Sequence, residues 1–485
     1  MLFNSIDFMI FLPIVFILYW FVTNKNLKLQ NFLLLISSYV FYGWWDWRFL
    51  SLIIFSSTVD YIVGIGLSKT EEKRNRKLLL LASIIVNLGF LGFFKYFNFF
   101  SESFASAFTF FGRPIDATRL NIVLPVGISF YTFQTLSYSI DVYKRKLEPT
   151  KDVIAFFSFV SFFPQLVAGP IERATNLLPQ FYKRRYFGYD NTVEGMRQML
   201  WGLFKKIVIA DNCAIVANNV FNNYQNVSSV SLIAGAVFFT FQIYGDFSGY
   251  SDIAIGTSRL FGFNLMKNFA FPYFSRDIGE FWRRWHISLS SWFRDYLYIP
   301  LGGSRGSTWK KIRNVFIIFI VSGFWHGANW TFVFWGGLNA IYFLPLILTK
   351  RNRINLNTVA ENRFFPSIKE IFQMGTTFIL TVIAWIFFRA ESLSIAFDYI
   401  KRIIINFEFI RPRQEGVGFD IAFFIILIVF IFIEWTGRKY EYATVRLLSM
   451  NKSKPMRWLG YYVIILTIYL FGVFSEKIEF IYFQF

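Results

Sequence analysis

The chain contains only two histidines, and both lie in aromatic, apolar surroundings. His286 ends the string Phe281-Trp-Arg-Arg-Trp-His286, and His326 lies within Gly323-Phe-Trp-His-Gly327. Imidazole is well suited to move a proton near neutral pH, but an ionisable group at membrane depth is costly unless it lines a cavity or meets a partner. The pattern predicts a buried proton-transfer site with His326 as general base. The alternative for His326 is a core histidine bonded to a backbone carbonyl. His286 is a second candidate, expected to affect donor binding or local structure more than chemistry.

The segment 276–303 around His286 combines aromatic and charged side chains. It holds Trp and Tyr beside four Arg, two Asp and one Glu, a mixture that suits an interfacial or re-entrant element better than a spanning helix. Guanidinium groups bind phosphate in a bidentate manner, so we expect a site for a phosphorylated donor. The alternative is a membrane-interface belt with snorkelling arginines. The residues expected to bind the donor are Arg283, Arg284, Arg294, Lys205 and Lys206.

Carboxylates also occur within apolar segments, at Asp60, Asp246 and Asp252. Asp246 is expected to line the substrate-binding site, and Asp246 and Asp252 would orient a histidine or bind a cation; the alternative for each is a helix cap or a structural ion pair. With one cysteine, Cys213, and two histidines, we expect no internal disulfide and no catalytic metal. The chain lacks a Gly-x-Ser-x-Gly elbow, a Walker loop and a Gly-x-Gly-x-x-Gly string.

The composition predicts that these residues are carried by membrane helices. Hydrophobic residues make up 55% of the chain and charged residues 16%, against about 25% in soluble domains. Many apolar runs approach the ~20 residues that cross a bilayer, and we expect roughly nine to thirteen membrane segments in contact with lipid. The fold class is therefore an all-α polytopic membrane protein, with residues 1–485 forming one integral domain. The net charge of +19 resides mainly in loops between spans, which argues against a nucleic-acid partner.

Basic loops predict the orientation of the chain. The strongly basic loop 69–77 is expected in the cytoplasm, which places the N-terminus outside. The segment 154–169 has basic residues beyond both ends, so it is expected to re-enter rather than cross. The last span, 458–474, then leaves residues 475–485 outside. Both termini are thus predicted to be extracellular, and the first apolar segment is a retained anchor.

Seven motifs together resemble the membrane-bound O-acyltransferase family, in its bacterial branch that acylates cell-surface polysaccharides. The resemblance implies a ring of tilted helices with re-entrant segments, in which two opposed funnels meet at the family histidine. By motif match that histidine is His326, and His286 is the second family histidine. The motifs lie at 124–134, 163–173, 202–206, 244–252, 281–303, 323–327 and 385–390.

The same resemblance implies the reaction and its partners. The expected activity is transfer of a short acyl group, preferably acetyl, from a cytosolic thioester to a polysaccharide outside the cell. The donor would be acetyl-CoA or another acyl thioester, with no permanently bound cofactor. An extracellular SGNH-type acyltransferase or esterase would be the partner, and the bacterial inner membrane the location. The alternatives are transfer of D-alanyl or another acyl group from a carrier protein, and a transporter with buried histidines.

The C-terminus carries a further match to this family. Phe480, Tyr482 and Phe485 have the Phe-x-Tyr-x-x-Phe spacing of the acyl-relay peptides of surface acylation systems. The resemblance implies that the Tyr482 hydroxyl carries the acyl group briefly, in an extracellular peptide formed by residues 475–485. The alternative is an aromatic anchor at the outer membrane interface.

Overall fold

A computed structural model describes residues 1–112, 115–167, 169–405, 407, 420–450, 453–474 and 480–481. The regular structure of these residues is helical, without a β-strand, which confirms the predicted all-α class. The first ten helices are α1 (Ile6–Ile17), α2 (Leu27–Asp46), α3 (Leu50–Lys69), α4 (Lys73–Leu91), α5 (Phe97–Phe110), α6 (Ile128–Tyr143), α7 (Val153–Ser161), α8 (Phe163–Leu166), α9 (Ala174–Phe181) and α10 (Tyr189–Leu203).

The remaining helices are α11 (Asp211–Asn222), α12 (Ser229–Leu260), α13 (Ile278–Arg284), α14 (Ile287–Phe293), α15 (Thr308–His326), α16 (Trp330–Leu348), α17 (Ile368–Arg389), α18 (Leu393–Ile404), α19 (Ile421–Gly437) and α20 (Lys454–Phe471). Turns of π-helix occupy Leu18–Val22, Gly92–Tyr96, Phe204–Ala210, Arg294–Tyr298 and Val445–Ser449. Short 3₁₀ turns lie at Trp47–Phe49 and Pro272–Phe274.

The protein is a multi-pass membrane protein. Within the described part of the chain, five helical runs are long and apolar enough to cross a bilayer: Leu27–Lys69, Lys73–Phe110, Ser229–Leu260, Trp330–Leu348 and Ile368–Arg389. The first of these contains α2 and α3, whose 20 residues each would reach about 30 Å. Shorter apolar helices lie at Ile6–Val22, Val153–Leu166 and Ile421–Gly437.

Two segments that were predicted not to span the membrane form short helices in the structure. The segment expected to re-enter forms α7 and α8, of nine and four residues, which are too short to cross a bilayer. The charged segment around His286 forms α13 and α14, of seven residues each. The number of spans, the ring of helices, the two funnels and the single-domain organisation stay predictions.

The described chain divides into two compact units. The first unit comprises Met1–Gly195 and Thr257–Met266, and the second comprises Met196–Gly256 and Lys267–Phe485. Both histidines lie in the second unit, as do the lysines and arginines predicted to bind the donor.

In the first unit, Asp60 joins three helices through hydrogen bonds. Its carboxylate, on α3, is fully buried and accepts from Ser83 at 2.5 Å and from Asn87 at 2.8 Å, both on α4. Ser139 on α6 donates to it at 2.6 Å. A buried carboxylate is costly unless hydrogen-bonded, and these neutral donors supply the bonds. Asp60 is therefore a structural cross-link between helices.

In the second unit, α15 and α16 pack backbone to backbone. A Cβ atom at Gly323 would clash with the carbonyl oxygen of Phe332, and one at Gly336 would clash with that of Phe319. The side chain of Asn329 caps α16 by accepting from the Thr331 N–H at 3.0 Å. The close crossing and the cap form a tight helical hairpin, with His326 at the end of its first helix.

The hairpin predicts different effects for two adjacent glycines on α16. Gly336→Ala introduces a methyl group against backbone atoms that cannot give way, whereas Gly337→Ala adds one where no atom lies within 4 Å. We expect Gly336→Ala to lower the free energy of unfolding by about 1–3 kcal/mol. Thermal denaturation of the purified protein in detergent measures the difference. Equal midpoints for the two variants would show that the helices can separate without cost.

Candidate active site

His326, the last residue of α15, is surrounded by aromatic rings. Only 4% of the residue is exposed. The centre of its ring lies 4.9 Å from that of Trp325, 5.1 Å from that of Trp335 and 5.4 Å from that of Phe388. Trp335 belongs to α16 and Phe388 to α17, so three helices build these walls. Apolar walls keep water away, which strengthens a hydrogen bond between the imidazole and a reacting hydroxyl.

His286 lies just before α14 in an unusual backbone conformation. Its φ of 44° is in the left-handed region, which is costly for a residue with a Cβ atom and must be enforced by its surroundings. Asn268 supplies part of that enforcement. Its backbone carbonyl accepts from the Ile287 N–H, and its side-chain Oδ1 accepts from the Ser288 hydroxyl, both at 2.9 Å. The buried imidazole packs edge-on against Phe247, with ring centres 4.6 Å apart.

The fold brings the two histidines together. Their ring centres lie 6.5 Å apart. The Trp325 ring lies against both, with its centre 6.0 Å from that of His286. Such a pair can take up and pass on a proton in a site shielded from bulk water. The chemical role of each histidine stays a prediction.

Among the predicted donor-binding arginines, Arg284 is the most constrained. Glu280 lies between two guanidinium groups, 2.8 Å from Arg284 and 3.0 Å from Arg276. The Glu280 N–H in turn donates to the side chain of Asp277, which caps α13. The charge of Arg284 is therefore partly neutralised within the protein.

Arg283 and Arg294 are more accessible. Both are exposed. Arg283 donates to the carbonyl oxygens of Asn352 and Asn355 at 2.9 Å each, and Arg294 pairs with Asp295 at 2.7 Å. The acceptors of these two Arg283 hydrogen bonds are neutral carbonyl oxygens, which do not neutralise the positive charge of the guanidinium group. Of the three arginines, these two can meet an anionic group from solvent.

Lys205 and Lys206 are buried in ion pairs. The Lys205 Nζ lies 2.5 Å from Asp252, and the Lys206 Nζ lies 2.7 Å from Asp211 and 3.0 Å from Asp246. The motif at 202–206 thus meets the motif at 244–252. Asp246 forms the structural ion pair that was the alternative to a cation site, and the donor-binding role of the two lysines stays a prediction.

Two cavities of the second unit share a wall. A small polar cavity of about 20 Å³ and a larger aromatic cavity of about 360 Å³ are both bordered by Tyr244, Phe271 and Glu434. The Tyr244 hydroxyl donates to Glu434 at 2.5 Å, so this hydrogen-bonded pair borders both cavities. The polar cavity also has Lys205, Asp252, Lys267 and Asn268 in its lining, and the aromatic cavity has Phe241, Tyr273, Phe378 and Phe430.

The described part of the C-terminus is inserted beside the histidine site. Phe480 is fully buried, and its ring centre lies 4.4 Å from that of Tyr250 and 6.0 Å from that of Phe247. The Ile481 N–H donates to Asp246 at 2.7 Å. Tyr482 and Phe485, together with residues 475–479, lie outside the described residues.

Two residues near the site were not predicted. No sequence pattern indicated a role for Asn268, because it is an ordinary amide in a connecting segment. A pattern did mark Glu434, since it is the only acidic residue in the apolar run 421–435. Within the residues that the structure describes, no three His, Cys, Asp or Glu side chains are placed to hold a metal ion.

Comparison with known proteins identifies the family of this chain. The profile of the membrane-bound O-acyltransferase family matches residues 148–388. The chain is 42% identical over 400 residues to the probable alginate O-acetylase AlgI of Pseudomonas aeruginosa, covering 82% of this chain and 73% of that protein. It is 35% identical over 433 residues to the peptidoglycan O-acetyltransferase of Helicobacter pylori, covering 83% and 80%.

A more distant relative is the teichoic acid D-alanyltransferase of Bacillus subtilis, which is 27% identical over 236 residues, or 46% of this chain and 58% of that protein. The matched range 148–388 includes both histidines and the lysines and arginines of the site. Together with the identity to the two O-acetylating relatives over four fifths of the chain, this shows that the chain belongs to the membrane-bound O-acyltransferase family and is an acyl-transferring enzyme.

Proposed function

We propose that this enzyme moves an acetyl group from a cytosolic thioester, acetyl-CoA, to the outer face of the bacterial inner membrane, where a cell-surface or extracellular polysaccharide is O-acetylated. The observation that carries the proposal is the buried histidine pair, His286 and His326, in a chain whose relatives acetylate alginate and peptidoglycan. Acyl transfer between a thioester and a hydroxyl needs a base at the hydroxyl, and the two histidines of the chain meet at one place.

The proposed step breaks one bond and forms another. A hydroxyl oxygen attacks the thioester carbonyl carbon, a C–O bond forms, and the C–S bond breaks. His326 accepts the hydroxyl proton during the attack and returns it to the departing thiolate. The aromatic rings around His326 exclude water, which would otherwise hydrolyse the thioester.

D-alanyl transfer from a carrier protein is the second candidate. It is favoured by the similarity to the Bacillus subtilis relative, which is lower in identity and covers less of the chain than the O-acetylating relatives. Proteoliposomes supplied with acetyl-CoA, polysaccharide and the extracellular SGNH-type partner should form O-acetyl esters on the polysaccharide. Turnover with a D-alanyl carrier instead of acetyl-CoA would overturn the acetyl assignment.

The tail beside the histidine site supports a covalent relay. Tyr482 follows Ile481, which is bonded to Asp246, and Phe480 contacts the ring that packs on His286. A phenol has a pKa of about 10 and needs a base to become a good nucleophile. Its ester is more reactive than a sugar ester, because phenolate is the better leaving group. The acyl group would thus pass from Tyr482 to an extracellular SGNH-type partner and then to the polysaccharide, with both termini outside.

The general base is tested by His326→Gln, which keeps a polar side chain of similar size. We expect acetyl transfer to fall by roughly 10²-fold or more, the usual loss for a missing general base. The matched variant His286→Gln should change donor binding or stability more than kcat. Turnover is measured as thiol release in proteoliposomes. A folded His326→Gln protein with normal turnover would exclude this residue as the base.

The donor site is tested by replacing Arg283 and Arg294, the two exposed arginines, together with Gln. We expect a higher apparent KM for acetyl-CoA and a weaker dependence of that KM on salt, because charge attraction to the phosphates is screened by ions. A Gln pair at Lys73 and Arg74, two exposed residues of the first unit, removes the same charge elsewhere. An unchanged KM in the first variant would identify these arginines as interface anchors.

The relay is tested by Tyr482→Phe, which removes only a hydroxyl. We expect acetyl transfer to polysaccharide to be lost, and mass spectrometry of donor-loaded wild-type protein without its partner should show an acetyl group on Tyr482. Tyr469→Phe, at an exposed position of α20, is the control and should transfer normally. Normal transfer by Tyr482→Phe would mean that the C-terminal aromatic residues form an anchor.

A further inference from the structure

The described residues of the C-terminal tail, Phe480 and Ile481, make a buried polar contact in addition to aromatic packing. The Ile481 N–H donates to Asp246 Oδ2 at 2.7 Å, and Ile481 has only 1% of its surface exposed. A backbone N–H is present at almost any residue, so this bond does not select a side chain. It fixes the position of the main chain at residue 481, one residue before Tyr482.

The acceptor is held in place by charge. Asp246 is 2% exposed, and its other oxygen, Oδ1, lies 3.0 Å from the Nζ of the fully buried Lys206. The same Nζ lies 2.7 Å from Asp211. One lysine charge is therefore shared between two buried carboxylates. A further hydrogen-bond donor to Asp246 is favourable for this reason. The Ile481 N–H is such a donor.

The same stretch of α12 contacts both the tail and the histidine site. Asp246 and Tyr250 are four residues apart and so lie on one face of the helix, where Asp246 bonds Ile481 and Tyr250 packs on Phe480. Phe247, next to Asp246, lies between the Phe480 ring and the His286 ring, with centres 6.0 and 4.6 Å away. A shift of this helix face would move the tail and the site together.

We propose that Asp246 is a positioning residue that seats Phe480 and Ile481 against α12, where Phe480 contacts the Phe247 ring that packs on His286, with Lys206 and Asp211 orienting its carboxylate. The inference rests on the proposed relay for its purpose, since a seated tail matters to catalysis only if Tyr482 carries the acyl group. Asp246 thereby has a role other than donor or cation binding. Its carboxylate fixes the position of the main chain at Ile481, and the aromatic contacts of Phe480 hold the neighbouring side chain in the protein interior.

The seat is tested by photo-crosslinking in the full-length protein. Benzoylphenylalanine replaces Phe480, and mass spectrometry maps its crosslinks under ultraviolet light. With Asp246 intact, we expect crosslinks to α12 near Phe247 and Tyr250. Asp246→Leu removes the acceptor and should reduce their yield by about tenfold, whereas Asp246→Asn retains an acceptor oxygen and should restore much of it. Asp252→Leu removes a neighbouring, partly buried carboxylate that pairs with Lys205 and should leave the crosslink in place.

A change on the tail side keeps the test informative if Asp246→Leu fails to accumulate. Ile481→Pro removes the N–H itself, and Ile481→Ala keeps the N–H while shortening the side chain. We expect loss of the crosslink in the first and retention in the second. An equal crosslink yield in wild type, Asp246→Leu and Ile481→Pro would overturn the proposal.

The kinetic readout separates seating from the relay. Ile481→Pro should lower kcat without raising the KM for acetyl-CoA, because it displaces Phe480 and Ile481 and alters none of the residues predicted to bind the donor. Tyr482→Phe should leave the crosslink unchanged, since it alters no atom of the seat. If Tyr482→Phe also retained transfer while the crosslink still depended on Asp246, the relay would be wrong and the seat would stand.

Discussion

The ammonium group of Lys206 is the charge around which the candidate site is arranged. It is fully buried and faces Asp211 and Asp246, which places it where the π-helical turn Phe204–Ala210 meets α12. The main chain just before this turn lies close to α12, since a Cβ atom added at Gly249 would be only 2.8 Å from the Gly202 carbonyl oxygen. Buried charges are tolerated only in such well-paired settings, so this contact is strongly specified. The ion pair between Lys206 and Asp246 thereby fixes the orientation of α12, the helix from which Phe247 packs against His286.

The second determinant of the site is aromatic packing on rigid helices. The α15–α16 hairpin presents His326, and the motif at 385–390 on α17 supplies Trp385 and Phe388. The rings of Trp335 and Trp385 stack with centres 5.6 Å apart, which completes the wall behind the histidine. Catalytic groups held by packed helices are more precisely placed than groups on loops. Motifs that are far apart in the sequence thus act as parts of one enclosure.

The arginine-rich segment shows how one sequence pattern can serve two purposes. Its composition suggested a single basic site for an anion. In the structure, Glu280 holds Arg276 and Arg284 in a partly buried ion-pair network, whereas Arg283 and Arg294 are exposed. Composition counts charges but does not show which are already neutralised, because that depends on side-chain geometry. The exposed subset is the part left to meet a donor.

The sequence by itself determined the helical membrane class, because hydrophobic length acts locally along the chain. It also identified His326 and His286, since the chain has no other residues of that type. Only the tertiary structure decided that their ring centres lie 6.5 Å apart, that Lys206 pairs with Asp246, and that Asn268 enforces the turn at His286. These outcomes join residues distant in sequence, and each depends on how whole helices pack. Local pattern carries no information about such pairings, because close packing is a property of the complete set of contacts.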